Sequence, residues 1–168
     1  MIFLSHLLSL YIHRFWGCYT GMYCEPVPNT KVAKYVNVTK TEEALKGAIA
    51  IQPVSVAVSA GATGGGFMSG WQFYSGGIFD QGCETVVDPQ TGLNQPAIDH
   101  GVLAVGYGTV PPTAESKGGD YFLVKNSWGE AWGLDGYIQV ARNAGHETQG
   151  GSSCILSMAS RPLMSEGP

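Results

Sequence analysis

Two polar residues border apolar strands, in positions where they could act together in proton transfer. His100 stands at the head of the apolar run 101–108, and Asn126 follows the apolar run 121–125. An imidazole exchanges a proton near neutral pH, and an amide oxygen can hold the ring in one orientation. Such residues form two members of a Cys-His-Asn catalytic group. The alternatives are a histidine bonded to the backbone and an asparagine that makes a turn.

The segments that must position these residues are mostly extended. Apolar and small residues alternate over Val54–Ala60, which predicts a strand with one buried face. Three further strands are predicted near residues 100–108, 120–126 and 136–142, separated by turns rich in glycine or proline. Residues 84–97 are interpreted as a loop. Short strands in this arrangement favour an antiparallel, barrel-like sheet.

One helix is predicted to pack against this sheet. It is expected from Thr41 to Ile51, where apolar residues recur at helical spacing, with Thr39 and Glu42 as a capping pair. Aromatic residues cluster between Trp71 and Phe79. The sequence therefore predicts an α+β fold.

Composition narrows the classes of protein to consider. The 168 residues suit one domain, with 44% apolar residues, 13% charged residues and 24 glycines. The net charge is −4, and no run of lysine or arginine occurs, so nucleic-acid binding is not expected. We also expect no membrane span and no cofactor.

The cysteines indicate an oxidising environment. Their even number and wide spacing are typical of disulfides, and none forms the paired C-x-x-C spacing of a zinc site, so no metal is expected. Asn37 begins an Asn-Val-Thr glycosylation sequon, which points the same way. The four cysteines are Cys18, Cys24, Cys83 and Cys154.

The first 30 residues are interpreted as an irregular segment ahead of a domain over residues 31–168. Met1–Ile12 is mostly apolar but too short for a transmembrane helix. It is similar to the apolar core of a signal peptide, yet it has no preceding basic residue and no small-x-small cleavage site. A misread or truncated start is the alternative.

Several ordered motifs together resemble one enzyme family. Residues 19–162 resemble the C-terminal half of papain-like cysteine peptidases, closest to the cathepsin L type. The resemblance implies the right-hand domain of that fold, a barrel-like antiparallel sheet that carries the histidine and the asparagine. The motifs are Gln52-Pro-Val-Ser-Val-Ala57, Tyr74-Ser-Gly-Gly-Ile-Phe79, Asp99-His-Gly-Val-Leu-Ala-Val-Gly-Tyr-Gly108, Val124-Lys-Asn-Ser-Trp-Gly-Glu-Ala-Trp-Gly133 and Gly136-Tyr137.

The resemblance implies a catalytic role for the first two residues and a supporting role for two tryptophans. His100 matches the general base that activates the thiol, and Asn126 matches the residue that orients the imidazole. Trp128 matches the indole that shields their hydrogen bond from water, and Trp132 matches an aromatic residue on the leaving-group side of the cleft. Both tryptophans would otherwise be core residues.

The resemblance also implies a substrate pocket and a disulfide. The pocket for the second residue before the cut matches Ala57, Ile98, Gly101 and Met158, all apolar or small, which suits a bulky hydrophobic side chain. The tail that carries Met158 is one residue shorter than the family pattern. Cys83 and Cys154 match the two halves of a disulfide. Cys24 matches a cysteine whose partner lies in the family's left half, so that here it is free or pairs with Cys18.

One part of the family pattern is absent. No Gln-x-x-x-Cys-Gly-Ser-Cys-Trp motif occurs, so the nucleophile and the oxyanion-hole glutamine are missing. Cys18 follows Phe-Trp-Gly, which is only weakly similar to the nucleophile motif. Its segment is turn-like rather than helical. We therefore expect the chain alone to be inactive, although the resemblance implies peptidase ancestry.

Three interpretations remain open at this point. The chain is a partial cysteine-type endopeptidase that acts on peptide or protein substrates, a non-catalytic homologue that binds peptides or inhibitors, or a partner for a separate Cys-bearing half. Its expected location is the lysosome or vacuole, or outside the cell.

Overall fold

The computed structural model describes residues 31–61, 70–114 and 117–164. The predicted irregular segment of residues 1–30, with Cys18 and Cys24, lies outside the described residues. The chain divides into two units. The first combines Met1–Val36 with Pro162–Pro168, and the second is Asn37–Arg161.

The described residues form one α-helix, three short 3-10 helices and nine strands. The helix α1 is Glu42–Ile49. The strands are β1 (Val32–Asn37), β2 (Val54–Val58), β3 (Ile78–Phe79), β4 (Thr85–Val87), β5 (Asn94–Pro96), β6 (His100–Val110), β7 (Gly119–Lys125), β8 (Tyr137–Arg142) and β9 (Met158–Met164). The first unit holds most of β1 and the last residues of β9, which are neighbours in the sheet.

The second unit is built on an open sheet with the strand order β9-β2-β6-β7-β8-β3. Neighbours from β9 to β8 are antiparallel, and β3 adds to β8 in parallel. The predicted α+β class is therefore confirmed. The strands predicted before residue 61 and near residues 100, 120 and 136 correspond to β2, β6, β7 and β8.

Helix α1 packs its apolar face on this sheet, and Leu45 is completely buried. The predicted capping pair was wrong, because the cap is Thr41, whose hydroxyl accepts from Ala44 N–H at 3.2 Å. The Glu42 carboxylate accepts instead from the Asn143 backbone N–H, at 3.0 and 2.9 Å. The Glu42 carboxylate therefore binds the residue that follows β8 instead of completing the predicted capping box. The helix also ends at Ile49, two residues before the predicted end.

The predicted loop over residues 84–97 contains a hairpin, so that interpretation was wrong. β4 and β5 pair as a separate two-stranded sheet, with Val86 opposite Gln95. Its turn begins with Asp88-Pro89 and ends at Gly92, whose φ is +70°. Proline and glycine at these places are typical of a hairpin turn with a bulge, which was the available signal.

The hydrophobic core lies between α1 and one face of the sheet. Val54, Val56 and Val58 alternate into it, while Ala57 points to the opposite face. Leu103 of β6 pairs with Lys125 of β7. Because these strands run antiparallel, the start of β6 lies beside the residues that follow β7, which brings His100 next to Asn126.

Candidate active site

His100 and Asn126 are in hydrogen-bond contact. His100 Nε2 lies 2.8 Å from Asn126 Oδ1, an ordinary hydrogen-bond distance. Asn126 is 6% exposed, and its backbone N–H donates to Gly136 O at 2.9 Å. This anchoring at the end of β7 holds the amide at one place, so that it can orient the ring.

The partners of the amide oxygen determine which ring nitrogen carries the proton. Asn126 Oδ1 also accepts from Ser127 N–H at 2.8 Å, which identifies it as the oxygen. His100 Nε2 must then be the donor, and in the neutral ring Nδ1 is the proton acceptor. Asn126 Nδ2 is buried and has no hydrogen-bond partner among the described residues.

Trp128 covers the imidazole. Its ring stacks on His100 with 5.0 Å between centroids and 24° between planes, while 41% of the residue remains exposed. Trp132 meets Trp128 edge-on at 5.1 Å, and its indole N–H donates to Trp71 O at 2.9 Å. Both tryptophans predicted to support the site therefore lie beside it, and Trp132 also packs on the core.

A third tryptophan was missed as a site residue. Trp71 is fully buried, and its ring meets His100 edge-on at 6.4 Å and stacks on Trp132 at 6.1 Å. Its indole N–H donates to Ser153 Oγ at 3.0 Å. The only sequence signal was the aromatic cluster of residues 71–79, which could not indicate a long-range contact with His100.

Three of the predicted substrate-binding residues form a row across three strands. Ala57 of β2 pairs with Gly101 of β6 on one side and with Met158 of β9 on the other. Paired residues point to the same face, which here is the face opposite the core. Met158 is 48% exposed. Ile98, the fourth predicted residue, is half-buried and lies two residues before His100. We call these four residues the substrate row.

Comparison with known proteins decides the family. Residues 17–160 match the model described as papain family cysteine protease. The chain belongs to this family. The resemblance expected from the motifs is therefore confirmed.

Family members from plants and an insect are similar over most of this chain. The Arabidopsis thaliana cysteine protease XCP2 is 46% identical over 124 residues, covering 74% of this chain and 28% of that protein. The Aedes aegypti cathepsin L-like peptidase is 42% identical over 132 residues, covering 77% of this chain and 32% of that protein. The chain thus spans about a third or less of these relatives, in their C-terminal portion.

Solved structures of the family have the same fold. The bromelain protease from Ananas comosus, in complex with the E64 inhibitor, matches with a TM-score of 0.62 and 30% identity. The match covers 86% of this chain and 57% of that chain. The Carica candamarcensis protease CMS1MS2, also with E-64, matches with a TM-score of 0.61 and 36% identity, over 83% of this chain and 53% of that one.

The family disulfide is present. Cys83 and Cys154 are bonded across 71 residues of sequence, which confirms the predicted pair. It joins the base of the β4–β5 hairpin to the turn that precedes β9.

The described residues contain no free thiol, since both of their cysteines are in this disulfide. They also contain no group of three or more His, Cys, Asp or Glu that could bind a metal ion. No helix among them is long and apolar enough to cross a membrane. Cys18 and Cys24 lie outside the described residues.

Proposed function

We propose that this papain-family chain supplies the general base and its orienting residue to a cysteine-type endopeptidase site. The observation that carries the proposal is the 2.8 Å contact between His100 Nε2 and Asn126 Oδ1 beneath the Trp128 ring. With Nε2–H held by the amide, His100 Nδ1 is available to take a proton from a thiol. The imidazolium then protonates the leaving amine.

The nucleophile must come from a Cys-bearing half, because this sequence has no Cys-Gly-Ser-Cys-Trp motif. Attack by a thiolate on the scissile carbonyl forms the acyl-enzyme, and without a positioned thiol His100 has no covalent step to assist. The oxyanion hole would come from the same half, and losing one such donor alone costs about a hundredfold or more in rate. We infer that the chain alone is inactive.

The substrates are peptides or proteins with a bulky apolar residue second before the cut. The substrate row supports this, because Ala57, Gly101 and Met158 are small or apolar and form an apolar strip across the strands that begins at the residue after His100. The family relationship supports peptide substrates in general.

The expected location is the lysosome or vacuole, or outside the cell. The Cys83–Cys154 disulfide supports an oxidising compartment, where such bonds persist. Asn37 is exposed at the end of β1, so its sequon is accessible to a glycosylating enzyme. Chain expressed in the secretory pathway should lose mass on treatment with a peptide N-glycosidase, and Asn37→Gln should abolish that shift.

The missing nucleophile motif favours a second candidate, a non-catalytic homologue that binds peptides. An activity assay distinguishes the two candidate functions. The full chain is assayed alone and with a Cys-bearing half from a cathepsin L-like peptidase, and the substrate is a fluorogenic peptide with leucine second before the cut. The first proposal requires turnover only in the mixture.

Variants make the test specific. We expect His100→Ala to abolish turnover in the mixture and Asn126→Ala to lower it about tenfold or more. Turnover by the chain alone that disappears on Cys18→Ala would contradict the proposal. Peptide binding to the mixture without any turnover would support the non-catalytic homologue.

A further inference from the structure

The β4–β5 hairpin, residues 84–97, has apolar side chains that the rest of the described structure does not cover. None of residues 85–96 belongs to the hydrophobic core. Val87 is 63% exposed and Leu93 is 68% exposed. Val87 pairs with Asn94, so by alternation Val87 and Leu93 lie on opposite faces of the ribbon, and each face offers one exposed apolar side chain to a ligand.

The tip of the hairpin is held in one conformation. Asp88 Oδ1 accepts from Gln90 N–H at 2.7 Å and from Thr91 N–H at 3.2 Å. Asp88 N–H donates to Leu93 O at 2.9 Å, and Gly92 N–H donates to Asp88 O at 2.8 Å. A tip that is already ordered loses little conformational entropy on binding, so its contacts contribute more to affinity.

The base of the hairpin is anchored beside the substrate row. Cys83 is bonded to Cys154, and Ala97 N–H donates to Glu84 O at 2.8 Å. Pro96 O accepts from Ile98 N–H at 2.9 Å. The hairpin is therefore continuous with Ile98, the first residue of the substrate row that follows it.

The outer edge of β4 can accept another strand. In the described part of the chain, β4 and β5 pair only with each other. Hydrogen-bonded and non-bonded pairs alternate along such a ribbon. Since Asp88 N–H points to Leu93, the N–H and C=O of Val87 point away from β5. An extended peptide can pair with a free edge of this kind.

The charge of the segment is entirely negative. Residues 81–99 contain Glu84, Asp88 and Asp99 and no lysine, arginine or histidine. Asp99 is exposed next to His100. A segment with an apolar residue and a nearby basic residue would complement both the apolar side chains and the carboxylates.

We propose that this hairpin is an extended subsite for the substrate. Its occupant is an extended segment of the substrate peptide that carries an apolar and a basic residue. Leu93 stands five positions before Ile98, at most roughly 17 Å away in extended chain, so the contacted segment lies within about five residues of the one in the substrate row. This inference rests on the proposed peptidase function and names its substrate more closely.

The test is peptide binding to the full chain, measured by fluorescence anisotropy, which needs no nucleophile. The probes are a peptide of about four residues that fills only the substrate row and one of about ten residues that adds the apolar-basic segment. We expect the long probe to bind about fivefold or more tightly than the short one. Leu93→Ser should remove most of that gain and leave the short probe unchanged.

Two matched variants make the result specific. Ile51→Ser removes an apolar side chain of equal exposure, 68%, after helix α1, and should leave both affinities unchanged. Asp88→Asn keeps the side-chain oxygen that caps the turn but removes the charge. It should weaken binding of the long probe by about twofold or more at low salt. Binding of a long probe with glutamate in place of the basic residue should instead become tighter, because a repulsive charge is removed.

The failure of this inference is distinguishable from failure of the proposed function. Equal affinity for the two probes, or an equal loss with Leu93→Ser and Ile51→Ser, overturns the subsite. Hydrolysis of the short fluorogenic peptide by the mixture of halves tests the peptidase alone, and Leu93→Ser should leave it unchanged. If Leu93→Ser instead weakens association of the two halves, the hairpin binds the Cys-bearing half and the subsite is overturned.

Discussion

Asn126 Oδ1 lies 2.8 Å from both His100 Nε2 and the Ser127 backbone nitrogen. The backbone N–H can only donate, so the shared atom is an acceptor and the imidazole proton must be on Nε2. The geometry thus leaves Nδ1 as the basic nitrogen of the neutral ring. That is the state a general base must hold before it accepts a proton.

This arrangement predicts one tautomer for neutral His100. Long-range ¹H–¹⁵N spectra of the labelled chain, recorded above about pH 8, should show protonated Nε2 and bare Nδ1. Asn126→Ala removes the acceptor and should give a mixture of tautomers. His146 is an internal reference, because its Nε2 faces Asp80 Oδ1 at 2.9 Å and does not depend on Asn126. Protonated Nδ1 in the unsubstituted chain would contradict the geometry.

The position of the helix cap predicts different effects for two threonines. Thr41→Ala removes the hydroxyl that accepts from Ala44 N–H and should lower the free energy of unfolding by about 1 kcal/mol. Within the described ranges Thr39 contributes only its backbone carbonyl, to Thr41 N–H, so Thr39→Ala should change stability little. Urea unfolding of protein made without glycosylation measures both. A larger loss for Thr39→Ala would restore the cap predicted from the sequence.

The disulfide should be a main contributor to stability. Cys83 and Cys154 close a loop of 71 residues, so replacing both with serine should cost about 4 kcal/mol through greater entropy of the unfolded chain. Chemical unfolding measures the loss, and peptide mapping without reduction should find the linked pair in the unsubstituted chain. Unchanged stability in the double variant would contradict this contribution from the entropy of the unfolded chain.

Asp120 should make the stability of the folded protein depend on pH in the acidic range. Hydrogen bonds from Thr109 Oγ1 and Asn143 Nδ2, followed by the charge of Arg142 at 3.5 Å, lower the pKa of Asp120. A carboxyl group whose pKa is lower when folded stabilises the protein above its unfolded pKa, about 3.9, and loses that contribution as pH falls through the folded value.

The measurement is the urea midpoint between about pH 6 and pH 2, where stability should fall. The Asp120→Asn variant should be less stable than the unsubstituted chain at the upper end of this pH range. At the lower end the two stabilities should be nearly equal. Glu43→Gln serves as the control, because Glu43 is exposed on α1 and bonded only to Lys46 among the described residues. A constant difference across the range for Asp120→Asn would contradict the pKa shift.

The helix and four of the nine strands, β2, β6, β7 and β8, could be predicted from the sequence because their patterns are local. Alternation marked β2, and continuous apolar runs marked β6 and β7, since a strand presents side chains to its two faces in turn. Ordered motifs around His100 and Asn126 identified the family, and the family pattern identified the Cys83–Cys154 pair. Strands β1, β3 and β9 were not predicted, and the short strands β4 and β5 were missed because three residues are too few to show a period.

The tertiary structure decided which distant residues meet. Only strand pairing sets Met158 beside Ala57 and Gly101, because register depends on the whole sheet and not on one segment. Packing alone brings Trp71 to the edge of the His100 ring. The sequence by itself thus determined the family, the strands that carry His100 and Asn126 and the disulfide, whereas the contacts that surround the imidazole follow from long-range packing.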